Sequence, residues 1–449
     1  MNHRLQDLGR LLRSGEASAE ALVDEALAAA AAPEGEGSRV FTSLYSEKAR
    51  AMARASDTLR KAGVVRSPLE GIPVSIKDLF DVAGETTRAG SVALEDAPAA
   101  ATDAMIVSRL IAAGAVLVGR TNMTEFAFSG LGLNPHYGTP LNPYDRASRR
   151  IPGGSSSGAA ISVTDGMTAA AIGTDTGGSV RIPAALCGLV GFKPTAARVP
   201  QEGTLPLSRS LDSIGPIARS VACCALLDSV LAGTDFDLPE ALPLAGLGLA
   251  VPTTLALDGL DASVAAAFRN ALDRLSQAGV RISELAVPEF AALAAINAKG
   301  GFAAAEAWHW HQALVERAGS RYDPRVLMRI RRGADITAAD YQDLLAARAA
   351  WIAAVEKRLE PFDALAMPTV PVVAPKIADL EDDSAFGATN LLILRNPTLI
   401  NFLDGCALSI PCHAAGEAPV GLMLAGKGGS DRRILALGLA IEAALEAAA

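Results

Sequence analysis

From Leu69 onward, short apolar runs alternate with amphipathic helical segments, and this alternation limits the possible folds more than any other feature. In one unit, a helix capped by Asp103 precedes the buried run 115–118. In a second unit, a strand at 247–251 precedes a helix, and the run 280–282 follows it. Such βα units build a largely parallel sheet covered by helices. The sequence therefore predicts the α/β class.

The segments outside these units are mainly helical. Residues 1–62 form N-terminal helices, one capped by Ser18 and another over 46–59. Residues from about 290 to 359 are also helical and are predicted to form a lid or side layer beside the substrate pocket. No linker rich in Pro, Gly or Ser divides the chain, so residues 1–449 are predicted to form one domain. Further strands are predicted at 364–367 and 421–424, and a last helix is predicted with Asp431 as its cap.

Composition and charge exclude several classes of protein. Half of the 449 residues are hydrophobic and 20% are charged, as in an ordinary globular protein. The net charge of -9 argues against a nucleic-acid-binding surface, which needs clustered Lys and Arg. The one basic cluster is interpreted as the solvated face of a helix, in preference to a phosphate or carboxylate clamp. It consists of Arg325, Arg329, Arg331 and Arg332.

The sequence also indicates a cellular compartment. The N-terminus lacks the apolar stretch of a secretory signal, and no segment has the roughly 18 uninterrupted apolar residues of a membrane span. The five cysteines have no CxxC spacing, so reduced, buried thiols are expected. We predict a cytoplasmic protein that binds no membrane. The cysteines are Cys187, Cys223, Cys224, Cys406 and Cys412.

Three short motifs contain the candidate reactive residues. GIPVSIKD at 71–78 has Lys77 at the end of an apolar run, GGSSSG at 153–158 contains Ser155, and GTDTGGS at 173–179 ends in Ser179. Each has an ordinary interpretation when taken alone: a surface lysine, a flexible linker, and a simple or phosphate-binding turn. Together they supply a base, a proton relay and a nucleophile.

A serine hydroxyl is a poor nucleophile until a neighbouring base takes its proton, and no histidine is well placed to do so. His309 and His311 flank a tryptophan and are interpreted as an aromatic helix face, while His136 is interpreted as part of a loop. A lysine can act instead if it is neutral, which needs a pKa lowered by about three units, or roughly 4 kcal/mol. The apolar run around Lys77 supplies the burial that lowers a lysine pKa, and Asp78 would oppose this effect if its carboxylate faced the amine.

The glycines of the third motif suit a binding site for a developing oxyanion. Gly177 and Gly178 let backbone N–H groups turn inward beside Ser179, and each such donor contributes about 3–4 kcal/mol to transition-state stabilisation. Asp175 can hold the turn through bonds to the backbone. The GGSSSG motif runs into the apolar segment 159–163, which predicts an ordered loop followed by a buried helix.

With these motifs together, the chain resembles the amidase signature family, whose members are hydrolases and amidotransferase subunits that cleave carboxamides. The match is dense from about residue 71 to 212 and weaker towards the C-terminus. The resemblance implies a single large domain with a mixed, mostly parallel twisted β-sheet and helices on both faces. Further matching segments are GRTNMTEF at 119–126, NP at 142–143, GLVGFKPT at 188–195, LDSIGP at 211–216 and PVGL at 419–422.

The resemblance also assigns roles to individual residues. It implies that Ser179 is the nucleophile, that Ser155 is the bridging serine in a cis peptide with Gly154, and that Lys77 is the base. The oxyanion would bind to backbone N–H groups of the turn, and Ala127 would lie near the acyl or leaving-group pocket. The turn donors are Thr176, Gly177, Gly178 and Ser179, and the supporting residues are Ser156, Asp175 and Arg181.

The predicted activity is hydrolysis of a small-molecule carboxamide through an acyl-enzyme, without metal or cofactor and in a homodimer. One alternative is the glutaminase-type component of an aminoacyl-tRNA amidotransferase, working with a partner protein that handles the tRNA. A second is a hydrolase of ureido acids such as allophanate or a carboxybiuret, which an arginine of 321–332 facing the pocket would support. A third is a non-catalytic binding protein on the same fold. The acyl pocket is predicted to involve 127–133, 302–311, 322–330 and 396–402, with Phe302, Trp308 and Trp310 as apolar candidates.

Overall fold

In the computed structural model, which describes residues 3–447, eleven β-strands form one sheet. Across the sheet they lie in the order β1, β3, β2, β4, β6, β5, β10, β11, β9, β7, β8, with the bounds given below. The motifs at 71–78, 173–179 and 211–216 therefore fall on three neighbouring strands. The strands are β1 (Phe41–Leu44), β2 (Pro73–Lys77), β3 (Val116–Thr121), β4 (Ala170–Asp175), β5 (Val190–Lys193), β6 (Ser213–Ala218), β7 (Gly248–Pro252), β8 (Arg281–Leu285), β9 (Ala364–Pro368), β10 (Cys406–Pro411) and β11 (Gly421–Gly426).

Helices flank this sheet and also form most of the segment 288–359. Within the described residues no helix is long and apolar enough to cross a membrane. The α-helices are α1 (Leu5–Ser14), α2 (Ala19–Ala31), α3 (Gly37–Val40), α4 (Ser46–Lys61), α5 (Met105–Ala112), α6 (Ser157–Thr164), α7 (Arg181–Cys187), α8 (Val221–Ala232), α9 (Ala262–Gln277), α10 (Pro288–Ile296), α11 (Gly301–Ala318), α12 (Pro324–Arg331), α13 (Ala338–Leu359), α14 (Asp383–Phe402) and α15 (Asp431–Glu446).

The predicted α/β class is confirmed, but the sheet is not mostly parallel. Both βα units recognised in the sequence are parallel pairs, β2 with β3 across α5, and β7 with β8 across α9. In the part of the chain that the structure describes, however, four neighbouring pairs are parallel and six are antiparallel. Residues 412–420 join β10 to β11 directly, which is too short for the crossover that a parallel pair needs.

Both faces of the central strand β4 are buried. Ala171 packs in a cluster with Ala160 and Ile161 of α6, whereas its neighbour Ile172 packs in the main core with Leu227 of α8. Successive side chains of a strand point to opposite faces, so this division covers the sheet on both sides. Helices on both faces of the sheet therefore bury the residues at the carboxyl end of β4.

One of the three predicted helix caps is present in the structure. Ser18 caps α2 as predicted, because its hydroxyl accepts a hydrogen bond from the Ala21 amide at 3.1 Å. The caps predicted at Asp103 and Asp431 are wrong. Asp103 accepts from the Ala83 amide at 2.8 Å, and Asp431 accepts from the Thr195 amide at 2.8 Å. Both carboxylates bond to a distant loop, a partner that local helix signals do not indicate.

Methionines at two positions allow a matched test of the core. Met367 in β9 is 0% exposed, whereas Met328 in α12 is 62% exposed. We expect Met367→Ala to lower the free energy of unfolding by about 2–5 kcal/mol, because it removes buried volume. Met328→Ala should stay within about 0.5 kcal/mol of the wild type. Thermal and urea denaturation measure both, and equal effects would contradict the assigned burial.

Candidate active site

The turn between β4 and α7 is organised by the Asp175 carboxylate at the end of the strand. This carboxylate accepts hydrogen bonds from the backbone amides of Gly178 at 2.8 Å and Val180 at 3.2 Å. Gly178 has φ +123°, and a Cβ there would lie 2.5 Å from Pro397. Only glycine fits this conformation and this close approach. The side chain of Asp175 thus sets the path of the backbone up to Ser179.

The carboxylate is held in turn by Arg181 and Asn401, both buried. Arg181 donates from Nε and Nη2 to the two oxygens of Asp175 at 3.0 and 2.9 Å, and Asn401 Nδ2 donates at 2.9 Å. Burial alone would raise the pKa of Asp175, but Arg181 and Lys193 hold it well below its usual range. Because Asn401 lies on α14, these bonds also connect the turn to that helix.

The GGSSSG motif forms an ordered loop that enters α6, as predicted. The Gly154–Ser155 peptide bond is cis, in agreement with the implication of the resemblance. The Ser156 amide donates to the Ser179 carbonyl at 3.3 Å, and the Ser155 carbonyl accepts from the Thr124 amide at 3.1 Å. The bond from Ser156 joins the segments of Ser155 and Ser179, whose serines are 24 positions apart in sequence, and the bond from Thr124 ties the loop to the residues after β3.

Lys77 ends β2 and lies buried behind Ser155. Its Nζ is 2.7 Å from Ser155 Oγ and 2.9 Å from Thr174 Oγ1. The parallel pairing of β2 with β4, in which Ile76 lies opposite Ile172, puts Lys77 beside the residues that lead to Asp175. Burial lowers the Lys77 pKa to about 7, although the charges of Asp212 and Asp175 oppose the shift.

Asp78 would have opposed this shift if its carboxylate faced the amine, and that condition is not met. Asp78 is paired with Arg120, at 2.9 Å from Nε to Oδ1. Asp212 takes its place, and sequence reasoning missed it. It accepts from the Thr176 hydroxyl and from the amides of Leu207 and Ser208, both at 3.0 Å.

The signal that could have revealed Asp212 is its position before β6. In the antiparallel pairing of β4 and β6, Asp175 lies opposite Ser213, so the preceding residue reaches the turn at Thr176. Burial raises the Asp212 pKa to about 6. A second buried carboxyl thus lies close enough to influence the Lys77 amine.

Ser179 is 3% exposed and lies in the wall of a cavity, whereas Lys77 and Ser155 lie behind it. Among the described hydrogen bonds, one joins Lys77 to Ser155, and none joins the hydroxyls of Ser155 and Ser179. The two serines therefore lie in neighbouring segments that a backbone hydrogen bond connects. The contact between Lys77 and Ser155 is already formed. Apo sites often have long catalytic hydrogen bonds that tighten when substrate binds.

The backbone amides of the turn divide into two groups. The Gly178 amide donates to Asp175, so the prediction that it is a free oxyanion donor is wrong for this conformation. Within residues 3–447, no hydrogen bond uses the amides of Thr176, Gly177 or Ser179. Ala127, in a left-handed conformation with φ +60°, lines the same cavity as predicted.

The cavity has a volume of about 430 Å³ and a mainly apolar wall. Each of the four predicted segments contributes to it: Phe128, Phe302, Arg329 and Leu399 are examples. Trp308 and Trp310 do not line it, because they pack against the core on other faces of α11. The sequence missed further contributions to the wall, which come from α10 and the residues Asn297 and Gly300 after it, from Leu207, Leu211 and Leu255, from Arg332, and from Asn390, Leu391, Leu394 and Arg395 of α14.

The basic cluster is not simply a solvated face. Arg329 and Arg332 line the cavity, which corrects the interpretation from sequence. Arg325 points elsewhere and pairs with Asp383 at 2.7 Å. A stretch of arginines at helical spacing cannot be assigned to solvent until the neighbours of the helix are known.

The histidines have structural contacts. His311 packs edge-on against Phe126 at 4.4 Å between ring centres, and its Nδ1 is 2.9 Å from the Tyr322 hydroxyl. His136 Nε2 lies 2.9 Å from Glu125 Oε1. Both observations agree with the interpretations as an aromatic helix face and a loop residue.

Comparison with known proteins agrees with this geometry. The Amidase family model matches residues 22–435. The chain is 38% identical to 2-amino-5-chloromuconic acid deaminase of Comamonas testosteroni, covering 88% of this chain and 86% of that one. It is 36% identical to the A-type subunit of glutamyl-tRNA(Gln) amidotransferase from Chloroflexus aggregans, covering 95% and 93%. A crystal structure of an amidase superposes with a TM-score of 0.88 at 35% identity, covering 98% and 99%.

The fold defines an α/β hydrolytic enzyme built on one mixed sheet. The chain belongs to the amidase family. It is an amidohydrolase that acts on carboxamide C–N bonds.

The ion pair beneath the turn yields a stability prediction. Arg181→Met should lower the free energy of unfolding by about 3–5 kcal/mol, because it leaves the Asp175 carboxylate buried without its main counter-charge. The double variant Arg181→Met/Asp175→Asn should be less destabilised than the sum of the two single variants. Calorimetric melting of all four proteins at one pH measures the coupling, and strictly additive effects would contradict it.

Proposed function

We propose that the chain hydrolyses a small amide through Lys77, Ser155 and Ser179. Neutral Lys77 takes a proton from Ser155, which takes one from Ser179 as its oxygen attacks the carbonyl carbon. The C–N bond then breaks, and the proton returns through the same residues to the leaving amine. Water hydrolyses the resulting ester. The observation that carries the proposal is a buried amine with a pKa of about 7 at 2.7 Å from Ser155.

The amides of Thr176, Gly177 and Ser179 are the donors proposed for the oxyanion. They lie in the turn whose residues line the cavity, and they have no protein acceptor among the described residues. Asp175 and Arg181 act as positioning residues, because they shape the turn without lining the cavity. Ser156 supports the loop through its bonds to Thr174 and Ser179.

A glutaminase component of an amidotransferase is the second candidate, favoured by the 36% identity to the Chloroflexus aggregans protein. The cavity chemistry argues for the stand-alone amidase. Free glutamine carries an α-ammonium group, and a buried ammonium group needs an anionic partner. Among the described residues, no Asp or Glu lines the cavity. A relative with higher identity is named as a deaminase of 2-amino-5-chloromuconic acid, an organic acid other than glutamine.

We further propose that the enzyme is cytoplasmic and works as a homodimer on small molecules, with no nucleic-acid partner. All five cysteines are buried and free, as expected in a reducing compartment. Two-fold dimers are the commonest oligomers of soluble enzymes. Light scattering of the purified chain, alone and with any co-purifying protein, distinguishes a homodimer from one component of a larger complex.

Replacement of the proposed nucleophile is the first test. Ser179→Ala should lower kcat for a simple aliphatic amide by about 10³-fold or more, because no other hydroxyl can form the ester. A fluorophosphonate probe should label the wild type at the peptide containing Ser179 and leave the variant unlabelled. Wild-type turnover by folded Ser179→Ala would refute the assignment.

The pH dependence tests the base. Protonation below a pKa of about 7 removes the neutral amine, so kcat should fall about tenfold per pH unit on the acid side and reach a plateau above it. Lys77→Arg keeps a cation that cannot lose its proton, and it should lower kcat by about 10²–10⁴-fold. A flat profile from pH 5 to 9 in a chemistry-limited assay, or an active Lys77→Arg variant, would contradict the role.

A further inference from the structure

One amide side chain in the cavity wall has a donor group that the protein leaves unpaired. Asn390, on α14, lines the cavity and is only 4% exposed. Its Oδ1 accepts hydrogen bonds from the Ser129 hydroxyl and the Gly130 amide, both at 2.9 Å. Among the described residues, its Nδ2 has no hydrogen-bond partner. Buried amide side chains normally have partners for both the oxygen and the nitrogen.

The contacts of Oδ1 fix which end of the Asn390 amide is free. The Gly130 N–H group can only donate, so the atom opposite it must be the oxygen of the side chain. The Ser129 hydroxyl is itself held in place, because it accepts a hydrogen bond from the Leu131 amide at 3.2 Å. Nδ2 retains accessible surface, and its two N–H groups are therefore available to a ligand in the cavity.

The other uncharged polar side chains of the described wall, apart from the proposed nucleophile, already donate to the protein. A ligand that fills the cavity therefore meets one oriented amide donor for which the protein supplies no acceptor. A substrate that displaces water without offering an acceptor would leave this donor unpaired, at a cost in binding. The occupied donors are Ser129, Thr176, Asn297 and Thr398, which donate to Asn390, to Asp212, to the Leu293 carbonyl and to the Gly177 carbonyl.

Helix α14 sets the distance of this donor from the catalytic turn. Thr398 donates to the Gly177 carbonyl at 3.4 Å, and a Cβ at Gly177 would lie 3.4 Å from Leu394, one helical turn earlier. Asn390 is a further turn away, so it precedes Thr398 by about 12 Å along the helix axis. A substrate group that reaches Nδ2 is consequently several bonds away from the amide attacked by Ser179.

The surroundings of Nδ2 indicate which acceptor fits. The donor is neutral, and a neutral donor alone does not compensate the burial of a charge. Leu391 and Leu394, its neighbours on α14 in the cavity wall, offer no side-chain acceptor. A hydroxyl group would bring a proton that also needs a partner, whereas a carbonyl oxygen only accepts. An uncharged carbonyl oxygen is thus the best match.

We propose that Asn390 is a specificity-determining residue whose Nδ2 donates a hydrogen bond to an uncharged carbonyl oxygen in the acyl chain of the substrate, several bonds from the scissile amide. This inference rests on the proposed function and names its substrate class, the amides of oxo acids. Asn390 contacts the distal carbonyl group and takes no part in the bond cleavage.

A scan of ketone positions tests the inference. The substrates are nonanamide and its derivatives with a ketone at carbon 5, 6, 7 or 8. We expect kcat/KM of the wild type to be at least about tenfold higher than for nonanamide at one of these positions, because only there does the oxygen reach Nδ2. The other ketones should be no better than nonanamide, because they bury a carbonyl group without a donor. A wild-type enzyme that prefers none of the four ketones would overturn the inference.

Asn390→Asp separates recognition of the substrate from a structural role. The carboxylate can still accept from Ser129 and Gly130, but an acceptor oxygen replaces the free donor. The ratio of kcat/KM between the preferred ketone and nonanamide should fall to about one or below, through KM. If Asn390 only holds residues 129–130 in place, this ratio stays at its wild-type value.

Asn297→Asp is the matched control for the added charge. Asn297 lines the same cavity, but its Nδ2 already donates to the Leu293 carbonyl at 3.1 Å. This variant should therefore keep the wild-type ratio between the preferred ketone and nonanamide. An equal fall of the ratio in both variants would show a general charge effect and contradict the assignment to Asn390. Circular dichroism and melting temperature establish that each variant is folded.

A binding experiment keeps this inference separate from the catalytic proposal. Nonanamide and each of the four ketones are titrated calorimetrically into Ser179→Ala. The ketone that the wild type prefers should bind more tightly than nonanamide, and Ser179→Ala/Asn390→Asp should bind it about tenfold more weakly or worse. Equal affinity of the two proteins for that ketone would overturn the inference. Amide turnover by Ser179→Ala would instead overturn the proposed function.

Discussion

The geometry of the whole site depends on the Asp175 carboxylate at the end of a central strand. It accepts hydrogen bonds from the Gly178 and Val180 amides, and it is paired with Arg181 in a fully buried environment. Charge-assisted bonds of this kind are strong, and their loss would leave a buried charge without its partner. These bonds hold the turn in its observed conformation, which sets the position of Ser179 relative to the cavity.

The same sheet imposes an energetic cost at Lys77. Its pKa of about 7 lies below the unfolded value of about 10.4, so the folded chain binds fewer protons between these pH values and its stability rises with pH there. Below pH 7 the burial of this amine destabilises the fold by roughly 4–5 kcal/mol. The surrounding core must offset that cost. The same burial favours the neutral form of the amine beside Ser155.

How much could be predicted from sequence depended on whether an interaction is local. The helix capped by Ser18, the units around β3 and β8, and the segments carrying Lys77, Ser155 and Ser179 follow from patterns within about 30 residues. The direction of the strands does not follow from such patterns, because the six antiparallel pairs depend on connections that hydrophobic periodicity does not encode. The caps expected at Asp103 and Asp431 failed for the same reason, since both carboxylates bond to remote loops.

The charged residues show most clearly what cannot be predicted from sequence. Asp78 adjoins Lys77 in sequence, yet Arg120 neutralises it, while Asp212 comes within influence only because β6 pairs with β4. Likewise, Arg325 and Arg329 are one helical turn apart, and within residues 3–447 only Arg325 has a carboxylate partner. The effect of a charged residue on its surroundings depends on its ion-pair partner, and the topology of the fold determines which residue that partner is. Arg329, which has no salt bridge among the described residues, lines the same cavity as Ser179.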